Sequence, residues 1–278
     1  MNTVATTTLP HPGPLPLGEG ELHADAGEIA DSCSLVPAWR LREFAEVDST
    51  NLIAANLPAW HAVRADTQTA GRGRFQRQWV SDAGGLWLSA VVPVETNSPA
   101  WRMLPLATGV AVCDALRANG VGELRMRWPN DLLVGNRKLA GLLIDQFQPG
   151  LAVVGIGINV HNQPEARDGS LNGHVVRLAE LVSAPPSLRD LAVRVLASLK
   201  SVWQEVQNAG PESILPRVNA LWDLPRRVQL DLDGTLVPGD FAGVDVGGRL
   251  CLRFANDVTQ FFDPQDVKFL RDIPQSIP

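Results

Sequence analysis

The sequence predicts an α+β protein: a mixed β-sheet with helices, followed by a small SH3-like β-barrel. Three observations carry this. Apolar runs at residues 86–92 and 151–160 read as buried strands, with helical spacing between them at Met103, Leu106, Ala107, Val110 and Leu116. Residues 188–208 form the clearest helix, with Ser187 as cap, Asp190 in the first turn and Gly210 as stop. From Arg226 onward the period falls to two, as in Val228-Gln229-Leu230-Asp231-Leu232, and turn residues crowd together.

Taken in order, residues 1–36 are rich in Thr, Pro and Gly and show neither period, so a disordered extension is expected there. A larger unit spans 37–223 and a barrel 224–273. Structure begins near Trp39. Asp48-Ser49-Thr50-Asn51 offers N-cap residues for a helix that stops before Pro58. A short strand at 63–65 feeds an Arg/Gly loop. The helix through Leu116 ends at Asn119-Gly120. A strand at 124–128 is broken by Pro129-Asn130-Asp131. Strands at 132–134 and 138–144 then pair across Gly135-Asn136. A shorter helix runs to Trp222 after a break at Pro216. In the barrel, Asp233-Gly234 makes a turn, and further strands lie around Gly239, Gly243 and Gly247-Gly248.

Composition narrows the function. The 278 residues are 45% hydrophobic, enough for a sizeable core. A formal net charge of −6 argues against a surface built for nucleic acid. Cys33, Cys113 and Cys251 are far apart and form no C-x-x-C, which fits a reducing cytoplasm and no zinc site. No run reaches the length of a membrane span, and no signal peptide is expected. The five histidines form no constellation with Cys or Ser, so no catalytic triad is expected. The 24 basic residues include only three lysines, Lys138, Lys200 and Lys268, which sets Lys138 apart.

Three segments carry chemistry. In Gln68-Thr69-Ala70-Gly71-Arg72-Gly73-Arg74, with Arg77 and Trp79 beyond, glycines let backbone approach a ligand. The guanidinium forks there match phosphate and carboxylate oxygens. The alternatives are a solvated basic surface loop or a nucleic-acid arm. Asn130 and Asp131 suit a nucleotide and its Mg²⁺, or merely end a strand. Lys138, opening the apolar Lys138-Leu139-Ala140-Gly141, is an anion ligand or a snorkelling strand end. Gly155-Ile156-Gly157-Ile158-Asn159 lacks the third glycine of a dinucleotide fingerprint, leaving close approach by a ligand or a β-bulge.

Together, in this order, the three segments resemble the biotin protein ligases, without the N-terminal helix-turn-helix that repressor members carry. The resemblance implies a class II synthetase-like biotin/lipoate ligase catalytic domain with a C-terminal SH3-like barrel. It implies activation of biotin by ATP to biotinyl-AMP, then transfer to a lysine of a biotin carboxyl carrier domain of acetyl-CoA carboxylase or a related carboxylase. Implied catalytic residues are Lys138, Arg72 and Arg74. Biotin would meet Ser49, Thr50, Gln68, Gly71, Arg72, Lys138, Gly141, Gly155 and Gly157. ATP and the adenylate would meet Arg74, Arg77, Trp79, Asn130, Asp131 and Asn159. Mg²⁺ would be held through the ATP phosphates, with Asp131 a further ligand. A monomer or weak homodimer is expected, and the acidic balance and the absence of a long apolar run predict no specific DNA and no membrane as partner. Two departures stand out: Gln76 replaces a glycine of the family loop, and Arg127 replaces a lysine. The rivals are a lipoate or octanoate ligase or transferase of the sister fold, a biotin-responsive transcriptional repressor, and a binding module without chemistry.

Overall fold

The computed structural model describes residues 35–36, 39–95, 99–222 and 226–273. Of the stretch 1–36, then, only β1 (Leu35–Val36) is described, paired antiparallel with β2 (Trp39–Val47). The expected junction at 223–224 lies outside the described residues.

Strand β2 was not legible as a strand, because its residues switch faces. Trp39 and Leu41 enter the main core, whereas Phe44 and Val47 enter a second cluster across the sheet. After the short α1 (Thr50–Ala54) comes β3 (His61–Gln68). It is longer than the expected 63–65, because parallel pairing with β2 carries it on to Gln68. Next come β4 (Leu86–Pro93), α2 (Pro99–Arg117), β5 (Leu124–Arg127), β6 (Asp131–Val134), β7 (Arg137–Gln148) and β8 (Leu151–Ile158). Among the described residues these strands make an eight-stranded sheet, ordered β1-β2-β3-β4-β8-β7-β6-β5. Strand β8 pairs continuously with β4 through Gly155 and Gly157, so the β-bulge reading of those glycines is wrong.

Small α3 (Leu178–Leu181) precedes α4 (Leu188–Ala209), where Ser187 Oγ accepts from the Asp190 amide as expected. The apolar stripe of α4 buries Leu191, Val195, Leu196, Leu199, Val202 and Trp203 against α2 and the sheet. Two tryptophans bolt this layer down: Trp39 Nε1 donates to Leu196 O at 2.9 Å, and Trp203 Nε1 donates to Pro93 O at 2.9 Å. Pro216 is not a break, as expected from sequence, but lies in the first turn of α5 (Leu215–Asn219), where its missing N–H has no intrahelical duty. That helix stops short of Trp222.

A second, antiparallel sheet follows, of β9 (Arg226–Leu232), β10 (Thr235–Val244), β11 (Leu250–Arg253), β12 (Thr259–Phe262) and β13 (Phe269–Asp272), ordered β12-β11-β10-β9-β13. Asp233 and Gly234, at φ 54 and 90, close the β9–β10 hairpin as expected. Residues flanking the two sheets pack together: Trp128 Nε1 donates to Gly248 O at 3.0 Å, and Trp222 stands edge-on to Phe241 of β10 at 4.9 Å between centroids.

Candidate active site

Alternation along the strands builds the site. On the helix-covered face of the large sheet lie Ala140, Leu142, Val154, Ile156 and Ile158, all buried in the core. The opposite face carries Gly141, Leu143 and Asp145 of β7, Gly155 and Gly157 of β8, and Trp87 and Ser89 of β4, with Gly141 paired to Gly157 and Leu143 to Gly155. Glycine there leaves a hollow, and a cavity of about 350 Å³ opens over it. Side chains from elsewhere use the same room. A Cβ on Gly155 would stand 2.6 Å from Asn51 Oδ1, and one on Gly157 2.6 Å from Trp79 Nε1.

One end of the cavity is polar and uncharged. Ser49 sits at the α1 N-cap position, but its side chain caps nothing. Thr50 N and Oγ1 donate to Gln68 Oε1 at 2.8 and 3.1 Å. Gln68 Nε2 donates to Ser81 Oγ at 2.8 Å. Asn51, which sequence reasoning treated only as a capping residue, also lines the cavity.

The other end is charged. Asp131 accepts from Lys138 Nζ at 2.6 Å and from Arg127 Nη2 at 2.7 Å. Burial pushes the Asp131 carboxyl up, but Lys138 and Arg127 outweigh it and hold the pKa below the usual carboxylate range. Lys138 Nζ also lies 4.7 Å over the Trp79 ring. Asn130 Nδ2 donates to Leu142 O at 2.9 Å, and Asn159 Nδ2 to Lys138 O at 3.3 Å.

The Arg/Gly loop arches over this end and reaches the second sheet. Arg74 donates to Pro264 O and, at 3.4 Å, to Val267 O; Arg77 donates to Lys268 O at 3.3 Å and stacks 3.8 Å from the Phe269 centroid. Burial lowers the Arg74 guanidinium to about 10, with Asp131 opposing and Arg77 adding, so it keeps its charge at neutral pH. Arg72 has no hydrogen-bond or ion-pair partner among the described residues and faces the cavity. Phe75 and Gln76 have φ 56 and 58, a left-handed turn that glycine adopts without cost. That conformation accounts for the glycine expected at position 76.

Of the residues singled out from sequence, Ser49, Thr50, Gln68, Arg72, Arg74, Arg77, Trp79, Asn130, Asp131, Lys138, Gly141, Gly155, Gly157 and Asn159 all line this one cavity. Gly71 does not. It packs the base of the loop, where a Cβ would meet Ser81 Oγ and Trp79 O at 2.5 Å. The indole of Trp79 lies on Gly141 and Gly157, and its buried Nε1 has no hydrogen-bond partner among the described residues. Among the described residues no group of three or more His, Cys, Asp or Glu is placed to hold a metal ion.

Comparison with known proteins shows the family and the fold. Residues 44–161 match the biotin/lipoate A/B protein ligase family. The biotin--[acetyl-CoA-carboxylase] ligase of Mycobacterium tuberculosis is 35% identical over 198 residues, covering 68% of this chain and 71% of that protein. The chain belongs to this ligase family. A bifunctional ligase/repressor of Escherichia coli is 30% identical over 74% of this chain and 67% of its own length. The biotin protein ligase of Aquifex aeolicus, solved in complex with biotin and ATP, superposes with a TM-score of 0.74 at 25% identity, over 84% of this chain and 99% of that one. The mixed sheet with its helices is therefore the catalytic fold of the biotin protein ligases. No helix among the described residues is long and apolar enough to cross a membrane.

Proposed function

We propose that this ligase activates biotin with ATP and transfers it to a carrier lysine, as a biotin--[acetyl-CoA-carboxylase] ligase. The observation that carries the reading is the division of one cavity into two ends. Uncharged Ser49, Thr50, Asn51 and Gln68 suit a neutral, flat headgroup. Lys138 and Arg74 stand at the far end beside Asp131 and Asn130, and Arg72 also lines the cavity, which suits a place where two anions must meet. A valerate chain between ureido head and carboxylate connects the two ends.

In the first step a biotin carboxylate oxygen attacks the α-phosphorus of ATP. The bond to the β,γ-phosphates breaks, and pyrophosphate leaves with its electrons. Lys138 and Arg72 neutralise the carboxylate and the α-phosphate, and Arg74 exchanges backbone carbonyls for phosphate oxygen. Arg77, Trp79, Asn130 and Asn159 hold the nucleotide. Mg²⁺ bound to the phosphates would spread their charge. The cavity lining offers it only the carboxylates of Asp131 and Asp168, so the nucleotide supplies most of its ligands. In the second step the carrier lysine attacks the acyl carbon, an amide forms and AMP departs. No enzyme nucleophile is needed. The carrier is a biotin carboxyl carrier domain of acetyl-CoA carboxylase or a related carboxylase. We read the chain as a catalytic unit, 37–223, and a C-terminal unit, 224–273, of the SH3-like barrel kind; the five-stranded antiparallel sheet supports the second.

The test is incubation of the full chain with ATP and either biotin or lipoate. Biotin-dependent pyrophosphate release and a biotinyl-adenylate mass are expected. Adenylate formed from lipoate and not from biotin overturns the reading.

A further inference from the structure

The polar end of the cavity is made of groups that can face either way. A hydroxyl can donate or accept, and an amide can flip. A ureido group cannot: its nitrogens only donate and its carbonyl only accepts. Something must fix the polarity of the wall, and it lies behind the wall.

Asp145, on β7, sits outside the cavity lining and accepts from Asn51 Nδ2 at 2.8 Å. A carboxylate has no proton to give, so the Asn51 amide must turn its NH₂ toward Asp145 and its oxygen away. That oxygen lies 2.6 Å from Ser89 Oγ, and Ser89 is fully buried. The one proton of Ser89 therefore goes to Asn51. Ser89 Oγ also lies 2.7 Å from Thr50 Oγ1, toward which it now offers only a lone pair. The Thr50 proton has two destinations, Ser89 Oγ and Gln68 Oε1, and both are within the wall. What Thr50 shows the cavity is an acceptor. The Thr50 amide fixes Gln68 as well: Gln68 Oε1 is taken by that N–H, so Nε2 bonds Ser81 and keeps a second N–H free. The wall thus shows an acceptor beside a donor, the complement of a ureido N–H and C=O.

We infer that Asp145 and Ser89 are positioning residues that set the donor–acceptor polarity of the headgroup site through Asn51 and Thr50. This rests on the biotin reading above. Without Asp145 the Asn51 amide is free to flip, Ser89 can donate to Thr50, and the Thr50 hydroxyl can turn its proton into the cavity, against a ureido N–H.

The test is steady-state kinetics of adenylate formation by the full chain, with thermal unfolding alongside. Asp145→Leu should raise KM for biotin about 10-fold or more, with kcat and the KM for ATP within about twofold of wild type. Asp145→Asn should restore KM to within about threefold, because its carbonyl still accepts from Asn51. Ser89→Ala, a small change in a buried site, should move KM in the direction of Asp145→Leu and serves as the test if that variant fails to fold. Unchanged KM in Asp145→Leu with a lowered melting temperature means that Asp145 only fastens α1 to the sheet, which overturns the inference. So does an Asn variant as impaired as the Leu variant. A wild-type enzyme that makes no biotinyl-adenylate overturns the earlier reading and this one with it; a competent wild type with an unchanged variant overturns this one alone.

Discussion

Replacing Lys138 with Ala should remove most adenylate synthesis while leaving the fold intact. Two effects add. In the proposed mechanism the ammonium supplies a charge-assisted contact to the reacting oxygens, and loss of one such contact in a transition state costs about 10²–10³-fold in rate. The second effect comes from the partner. Lys138 Nζ covers Asp131 at 2.6 Å, and without it Asp131 keeps Arg127 alone. An uncovered carboxylate about 5 Å from an incoming anion repels it by up to about 3 kcal/mol at an effective dielectric near 20, and Arg127 cancels part of that. The single mutant should therefore lose about 10³-fold. The double mutant Lys138→Ala/Asp131→Asn should recover about 10-fold of it. Lys138→Arg should not rescue, because a planar fork on a different stem cannot reproduce a point charge wedged between Asp131 and the Trp79 ring. The assay is biotin-dependent ATP–pyrophosphate exchange, with circular dichroism to show that the fold persists. Exchange within about threefold of wild type would refute the role given to Lys138. A double mutant no faster than the single would refute the repulsion argument alone.

Arg74→Gly should release the loop from Pro264 and Val267 and loosen retention of the intermediate more than its synthesis. With biotin, ATP and serum albumin present, the albumin should become biotinylated; unlabelled albumin beside continued synthesis rejects the closing role. Gln76→Gly should leave melting almost unmoved, since relief of about 1 kcal/mol of left-handed strain is offset by greater freedom in the unfolded chain. Gln76→Pro, locked at negative φ, should open the loop to limited proteolysis, and a protected loop would contradict the observed turn. The depressed pKa of Asp131 makes its pairing stabilising above about pH 4, and that contribution is lost as pH falls through the folded-state value. The stability gap between wild type and Asp131→Asn should accordingly be flat from about pH 5 to 8 and shrink in acid, as urea unfolding at each pH will show.

What could be read from the sequence were the features written in a short window. The runs that became β4 and β8 are apolar on both faces because helices cover one side and the cavity floor or its flanking cluster the other. The α4 boundaries follow from Ser187 and Gly210. Strand β2 escaped because Arg40, Arg42, Glu43 and Glu46 mask a pattern whose buried residues change face midway. The Arg/Gly loop, Lys138 and the glycine strand stood out in the sequence because their residue types are uncommon in those settings, and the fold brings them to one cavity. Ser89, Asn51 and Asp145 were not. Each is ordinary where it stands, and only pairing of β4, β7 and β8 over α1 brings them within hydrogen-bond reach. The commitment of Asp131 to two cations was equally invisible, since Arg127 is four residues away and Lys138 is seven.

The hollow over Gly141, Gly155 and Gly157 has a consequence for how this chain can change. Strand side chains alternate with a period of two, so the neighbours of these glycines in sequence are Ala140, Leu142, Val154, Ile156 and Ile158 on the helix side. A slip or insertion of a single residue in β8 would carry Ile156 and Ile158 into the cavity and drop glycines into the core. Cavity room and core volume are thus one quantity counted on two sides of the same strand. Substitutions can tune the depth of this site residue by residue, but a length change in β8 has to come in twos, or be absorbed beyond the ends of the strand.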